Sequence, residues 1–170
     1  VWWITLASSY LLCLVAGMNA KTVYSNGYYT KKYNKFFSFM SVAILVLVAG
    51  LRSGIGDTPT YIQGYKTDAP STIAGSIKLL FSGKKDAGFY FYQGILKSIV
   101  NNPNVFIFVT SLITIVLIFI TYYKYSQLLE LSVFLFITTG CYLVTMNGIR
   151  QYLASAILFF CFPLIHERLS

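Results

Sequence analysis

Five apolar segments follow one another along this chain, and they restrict the folds it can adopt more than any other feature. A helix that crosses a bilayer needs roughly 20 apolar residues. Only 11% of the residues are charged and the mean hydropathy is +0.67, which excludes a soluble domain with an ordinary charged surface. We therefore predict an all-α, polytopic integral membrane helical bundle that forms one domain. The apolar segments lie at about residues 1–20, 33–52, 105–123, 129–146 and 152–165.

The polar segments indicate how this bundle is oriented. The first carries Lys21, Lys31, Lys32 and Lys35 without an acidic residue, so the positive-inside rule places it in the cytoplasm. The N-terminus then faces outward, and residues 53–104 form a long extracytoplasmic loop. Short amphipathic helices are expected in this loop.

The clearest amphipathic pattern in the outer loop is formed by Phe89, Tyr92, Leu96 and Ile99, which recur near i, i+3, i+7 and i+10. This spacing is typical of a helix that lies along the membrane interface. The alternative is a helix whose apolar face packs against the bundle.

The last two apolar segments cannot form one straight helix. Such a helix over residues 131–165 would measure roughly 50 Å, against a hydrocarbon core of about 30 Å. A break or re-entry is therefore expected near Gly148. The chain begins at Val1 without a methionine and reaches Ser170 soon after an apolar segment, so we expect it to be the N-terminal portion of a longer protein.

Two arginines are expected on the same face of the membrane. Arg52 ends the second apolar segment and Arg150 follows the fourth, and the even number of crossings returns the chain to the outer side. A guanidinium near lipid is costly and is usually retained for a partner. Its planar donors match phosphate oxygens, so two arginines beside one outer cavity suit an anion such as a pyrophosphate. Alternatively, each arginine snorkels independently and ends a helix.

A helix that continued through the break would carry one stripe of polar and small residues. The stripe consists of Asn147, Arg150, Gln151, Ala154, Ser155 and Leu158. It should face the bundle interior or a wet cavity, where Asn147 and Gln151 could hydrogen-bond sugar hydroxyls. The alternative for Ala154 and Ser155 is a close contact between helices.

The loop after the second apolar segment places Gly54 and Gly56 between Arg52 and Asp57. Glycines let the backbone turn tightly and present N–H groups to an anion. Asp57 is either a general base for a sugar hydroxyl or the ion-pair partner of Arg52. Tyr61 can stack on a sugar ring. Neither the Walker spacing nor an acidic cluster with metal-ligand spacing occurs in the sequence, so no ATP chemistry, metal ion or other cofactor is predicted.

Three short motifs mark the boundaries of the outer loop and the break. They cover residues 50–58 with Tyr61, residues 86–90, and residues 147–151 with Ala154. In this order and membrane setting they resemble the EpsG family of exopolysaccharide biosynthesis proteins, over nearly the whole chain. Two departures stand out. Family members are longer and contain a histidine motif that is missing here, so this chain is expected to hold only the first half of the active cavity. They also often carry a longer acidic element before residue 88, which argues against an acidic catalytic role there.

The resemblance implies a bacterial multi-pass protein of the cytoplasmic membrane that is similar to Wzy-type polymerases. Such a glycosyltransferase would join polyprenyl-pyrophosphate-linked oligosaccharide repeat units into exopolysaccharide or capsule at the outer face. Arg52 and Arg150 would stabilise the leaving pyrophosphate and Asp57 would act as base. The substrate-binding residues would be Gly56, Tyr61, Asn147 and Gln151.

The partners expected from the resemblance are the lipid-linked oligosaccharide, membrane lipid and other membrane proteins of polysaccharide assembly, without nucleic acid. Two alternatives remain at this point. The chain could belong to a flippase or transporter of lipid-linked oligosaccharides, or it could be a non-catalytic membrane subunit of the polysaccharide machinery.

Overall fold

The apolar segments become helices because a helix satisfies its backbone hydrogen bonds within one segment. The computed structural model describes residues 2–25, 28–83 and 85–169, and within them nine helices and one hairpin follow one another. The helices are α1 (Trp2–Met18), α2 (Lys35–Gly50), α3 (Thr58–Thr67), α4 (Ile73–Leu80), α5 (Ala87–Ile99), α6 (Pro103–Tyr125), α7 (Leu129–Thr138), α8 (Cys141–Asn147) and α9 (Ile149–Leu169). The predicted all-α fold is confirmed. The antiparallel strands β1 (Lys21–Ser25) and β2 (Tyr28–Lys32) add a small hairpin in the first polar segment.

Helix α6 is the centre of the bundle and packs against α2, α9 and α3. Among the described residues it is the one helix that is long and apolar enough to cross a membrane by itself. Helices α7 and α8 meet the same criterion only together, and they are bent by 56° at their junction. Helix α2, the Trp3–Met18 part of α1 and the Ile149–Phe162 part of α9 are apolar but shorter.

The segment predicted at residues 129–146 is divided in two. Thr139 caps the C-terminus of α7, and Gly140 precedes α8 with a φ of 82°, a left-handed conformation that glycine adopts without a steric penalty. The single glycine therefore produces a bend that hydrophobicity does not reveal. A second interruption at Gly148 (φ −89°, ψ 51°) separates α8 from α9.

Most polar side chains inside the bundle find partners within it, although the buried hydroxyl of Ser9 has none among the described residues. On α6 the hydroxyls of Thr110 and Thr114 donate to the carbonyls four residues earlier, at 2.7 and 2.8 Å. Between α1 and α2, the Cys13 thiol donates to the Ser41 hydroxyl, which donates to the Ser9 carbonyl at 3.0 Å. These small polar residues let the helices pack closely while leaving few unpaired groups.

Helices α3, α4 and α5 form a layer over one end of the bundle. Tyr65 of α3 stacks on Phe106 at the start of α6, with ring centroids 4.7 Å apart. Phe89, Tyr92 and Leu96 of α5 pack against the same cluster. Three of the four residues predicted for the amphipathic face thus pack against the bundle, whereas Ile99 is exposed. This layer sets the position of the candidate site.

Candidate functional site

The three motif segments, far apart in sequence, converge at the end of the bundle that α3, α4 and α5 cover. The Arg52 guanidinium donates from Nη2 to the Met146 carbonyl at 3.2 Å. A Cβ added to Gly56 would lie 1.6 Å from the Asn147 Oδ1, so the loop before α3 touches the end of α8 directly. The remaining segment, residues 86–90, joins them through an ion pair between Asp86 and Arg150. The Arg150 Nη1 and the Asp86 Oδ2 are 2.5 Å apart.

Arg52 lies inside the protein, with 8% of its surface exposed. Nη1 donates to the Ala49 carbonyl and to the Ser111 hydroxyl, the latter at 2.8 Å. Nε donates to the Thr58 hydroxyl at 3.0 Å, and Nη2 reaches Met146 as described. Ala49 and Met146 lie in the last turns of α2 and α8, where carbonyls lack helical partners. The guanidinium therefore caps two helix C-termini and ties them to α3 and α6.

Arg150 has a different environment in the first turn of α9. Its side chain is 38% exposed, and Asp86, its partner, is 26% exposed. Asp86 precedes α5 with a φ of 64°, in the left-handed region that aspartate tolerates better than most residues. The pair places the guanidinium where it lines two cavities.

The first of these, which we call the polar cavity, has a volume of about 320 Å³. It lies between α3, α5 and the start of α9. Its lining consists of Asp57, Thr60, Tyr61, Gly64, Asp68, Phe89, Tyr90, Gln93 and Arg150. Carboxylates, an amide, phenols and one cation thus face a single space.

The second, which we call the apolar groove, has a volume of about 460 Å³ and lies between α5, α6 and α9. Its lining consists of Asp86, Gly88, Phe89, Tyr92, Ile113, Arg150, Leu153, Ala154 and Ile157. Burial raises the pKa of Tyr92, although its hydrogen bond with the Thr110 hydroxyl opposes this, so the phenol stays neutral. Arg150 and Phe89 line both cavities and mark the boundary between them.

The two arginines expected beside one cavity are separated in the structure. Arg52 points toward α6 and α8 and lines a different space, beside Asn104 and Phe108. Asp57 is exposed and makes no ion pair with a described residue, because Arg52 turns inward and Asp57 faces the polar cavity. An Arg52–Asp57 pair, one of the two interpretations of the sequence, is therefore absent from the described residues.

Of the predicted sugar-binding residues, Tyr61 lines the polar cavity, with its ring 6.1 Å from that of Phe89. Asn147 packs against Gly56 at the rim of the loop. Gln151 is exposed and lines neither the polar cavity nor the apolar groove.

The polar stripe predicted on a continuous helix does not face the bundle interior. Gln151, Ala154, Ser155 and Leu158 are exposed on the described part of the chain. The members of the stripe from Arg150 onward all lie within α9 and share one face, and α9 instead packs its apolar face, with Ile149, Leu153 and Ala156, into the bundle. Burial in the bundle was therefore the wrong expectation for these four residues, whereas Arg150 lines the polar cavity, the other environment expected for the stripe.

Gln93 and Asp68 were missed as site residues. Neither belongs to a recognisable motif, and each reaches the cavity only because α3 and α5 pack side by side. Asp86 lies in the motif at residues 86–90, but its pairing with Arg150 could not be predicted from the sequence. Three or more potential metal ligands do not cluster anywhere in the described ranges.

A pair of glycine substitutions tests the contact between the loop and α8. Gly56→Ala places a Cβ against Asn147 in a left-handed conformation (φ 52°), whereas Gly54→Ala has a similar φ of 69° but no atom within 4 Å. Both variants lose about 1–2 kcal/mol from backbone strain, and only Gly56→Ala adds the steric clash. We expect a clearly lower melting temperature for Gly56→Ala in detergent. Equal melting temperatures would show that the contact contributes nothing.

Fold and site together define an α-helical protein that has a cavity system with polar and apolar parts at one end, and whose helix α6 is long and apolar enough to cross a membrane. Comparison with protein-family models matches residues 35–169 to the EpsG family. The chain belongs to this family, as its motifs predicted, and membership connects it with exopolysaccharide biosynthesis. No curated protein and no solved structure matches it.

Proposed function

We propose that this chain belongs to a polymerase that joins polyprenyl-pyrophosphate-linked repeat units into exopolysaccharide or capsule. The observation that carries the proposal is the position of Arg150 between the polar cavity and the apolar groove. The proposed substrate has the same order of parts, since a diphosphate joins its sugars to its isoprenoid chain. Sugars would occupy the polar cavity, the diphosphate would contact Arg150, and the isoprenoid would lie in the apolar groove.

The electrostatics of Arg150 support a diphosphate in that place. A guanidinium presents parallel N–H donors that match phosphate oxygens. Arg150 also lies in the first turn of α9, where the helix dipole adds a partial positive charge. A diphosphate carries more charge than the Asp86 carboxylate, so it can replace Asp86 as partner without leaving Arg150 unpaired.

In the proposed reaction, a hydroxyl of the acceptor repeat unit attacks the anomeric carbon of the donor sugar. A new glycosidic C–O bond forms, the C–O bond to the diphosphate breaks, and the lipid diphosphate leaves with the electron pair. Arg150 would stabilise the charge that develops on the leaving oxygen. The exposed Asp57 carboxylate lines the polar cavity and would accept the hydroxyl proton, and Tyr61 would orient a sugar ring.

The other predicted residues receive supporting roles in this proposal. Arg52 would hold the loop before α3 through its buried hydrogen bonds, and Gly56 and Asn147 would fix the same loop against α8. Gln151 is exposed and lines neither the polar cavity nor the apolar groove, so it would contact the part of the oligosaccharide that extends outside the polar cavity. The apolar helices would cross the cytoplasmic membrane several times, with the lysine-rich hairpin inside and α3 to α5 outside.

The location of the unprocessed repeat units tests this function in cells. If the gene is deleted, a polymerase defect should leave single lipid-linked repeat units on the outer leaflet, and the intact gene should restore polymer. Retention of the units on the inner leaflet would identify a flippase or transporter instead and contradict the proposal. Polymer of normal length and amount in the deletion strain would exclude a required catalytic role.

Asp86→Asn tests whether the carboxylate competes with a diphosphate for Arg150. Asparagine tolerates the left-handed backbone at this position, so the turn should persist. A partly exposed ion pair contributes about 1 kcal/mol at most, so geranyl diphosphate should bind the variant up to about fivefold more tightly by calorimetry. Glu130→Gln, which removes a negative charge on α7, should leave binding unchanged. Weaker binding by Asp86→Asn would contradict competition.

A further inference from the structure

The polar cavity contains a buried side chain that the proposed mechanism does not use. Gln93 of α5 is 2% exposed and lines the cavity. Its Oε1 has no hydrogen-bond partner among the described residues. Leaving a buried amide oxygen unpaired costs about 1–3 kcal/mol, and buried polar groups are nearly always paired in folded proteins. An unpaired amide beside a cavity therefore indicates a ligand that supplies the missing donor.

The groups around Gln93 identify the chemistry of that ligand. The Asp57 and Asp68 carboxylates accept hydrogen bonds, and the Gln93 amide can both donate and accept. Hydroxyl groups match this combination because each of them also donates and accepts. Tyr61 and Tyr90 add aromatic rings on which the C–H face of a sugar can lie. A volume of about 320 Å³ is near the lower end for ligand sites, so it suits a single sugar ring rather than an oligosaccharide.

The charges also determine which part of a lipid-linked substrate enters. Asp57 and Asp68 repel a diphosphate from the interior of the polar cavity, whereas Arg150 attracts it to the boundary. A neutral sugar directly attached to that diphosphate can occupy the interior without a charge penalty.

We propose that the polar cavity binds the sugar ring attached directly to the lipid diphosphate, and that Gln93 hydrogen-bonds its hydroxyl or N-acetyl groups. This inference rests on the proposed function and adds a specificity-determining residue to it. Sugar identity at the first position is then recognised by α3 and α5, while Arg150 recognises the diphosphate that all such substrates share.

Calorimetry on the intact, detergent-purified protein tests this assignment. The probes are geranyl diphosphate and its derivatives that carry one glucose, galactose or N-acetylglucosamine on the diphosphate. At least one glycosylated probe should bind about tenfold more tightly than the bare lipid, since one buried hydrogen bond supplies that difference. Gln93→Met should abolish this gain and leave the affinity for bare geranyl diphosphate unchanged.

Two further variants keep the outcome interpretable. Gln63→Met makes the same change at an exposed position of α3 outside the cavity lining and should behave like the unmodified protein. Gln93→Glu is the second variant, for use if Gln93→Met does not fold, because a glutamate side chain has nearly the same shape as glutamine. It exchanges the amide for a carboxylate, so its relative affinities for the glycosylated probes should differ from those of the unmodified protein.

The outcomes separate this inference from the proposed function. If no glycosylated probe gains affinity, or if neither Gln93 variant alters the gain, the sugar assignment is wrong. Arg150→Gln should weaken binding of the bare and the glycosylated lipids alike. If it changes neither, the diphosphate site in the proposed function fails, whatever Gln93 does.

Discussion

Arg150→Gln is expected to lower polymer formation by about a hundredfold while the protein remains folded. Removing one donor that stabilises a developing negative charge typically has an effect of this size. The side chain makes one partly exposed ion pair, so its loss should change the free energy of unfolding by only about 1 kcal/mol or less. The measurement is the amount and length of polymer in a deletion strain that expresses the variant at normal levels.

Lys78→Gln is the matched control for Arg150→Gln. It removes one positive charge from an exposed position of α4, outside the polar cavity and the apolar groove, and should leave polymer unchanged. Arg150→Lys keeps the charge but loses the planar fork, so we expect it to restore only part of the activity. Normal polymer in the Arg150→Gln strain would rule out leaving-group stabilisation by this residue.

Arg52→Met should act mainly on stability. Its guanidinium hydrogen-bonds to four described acceptors, and their loss leaves the final turns of α2 and α8 without a cap. We expect the free energy of unfolding to fall by about 3 kcal/mol or more, because hydrogen bonds to charged groups contribute about 1.5–3 kcal/mol each. Thermal unfolding in detergent, followed by loss of the monodisperse peak in size-exclusion chromatography, measures this change.

Arg150→Met provides the comparison for Arg52→Met, since both remove a guanidinium from the same end of the bundle. Only Arg52→Met should lower the melting temperature strongly. A variant that keeps its melting temperature but loses diphosphate binding would show instead that Arg52 contacts the substrate, as the sequence alone predicted.

The helical architecture could be predicted from the sequence because hydrophobic length and periodicity directly encode it. The bend between α7 and α8 could not, since it depends on one left-handed glycine, Gly140, inside an apolar run. The β1–β2 hairpin was also missed. Its lysines were interpreted only as a signal of membrane orientation, and no alternation of apolar and polar residues predicts strands there.

The motifs indicated which segments meet, but hydrogen-bond partners determine what each residue does there. Arg52 and Arg150 look alike in sequence, each at the end of an apolar segment. In the structure one is enclosed by neutral oxygens and the other pairs with Asp86 at a cavity boundary. Gln93 lies outside every motif. Its importance comes from being buried without a hydrogen-bond partner for its Oε1 among the described residues, and a sequence does not show this.

The most direct test of the polymerase proposal uses the intact protein, purified and reconstituted in vesicles with a synthetic polyprenyl-diphosphate-linked repeat unit. We expect chains of several repeats and release of one polyprenyl diphosphate for each new glycosidic bond, with both products lost in Arg150→Gln. Repeat units that only move between leaflets, or that remain single with no diphosphate released, would contradict it.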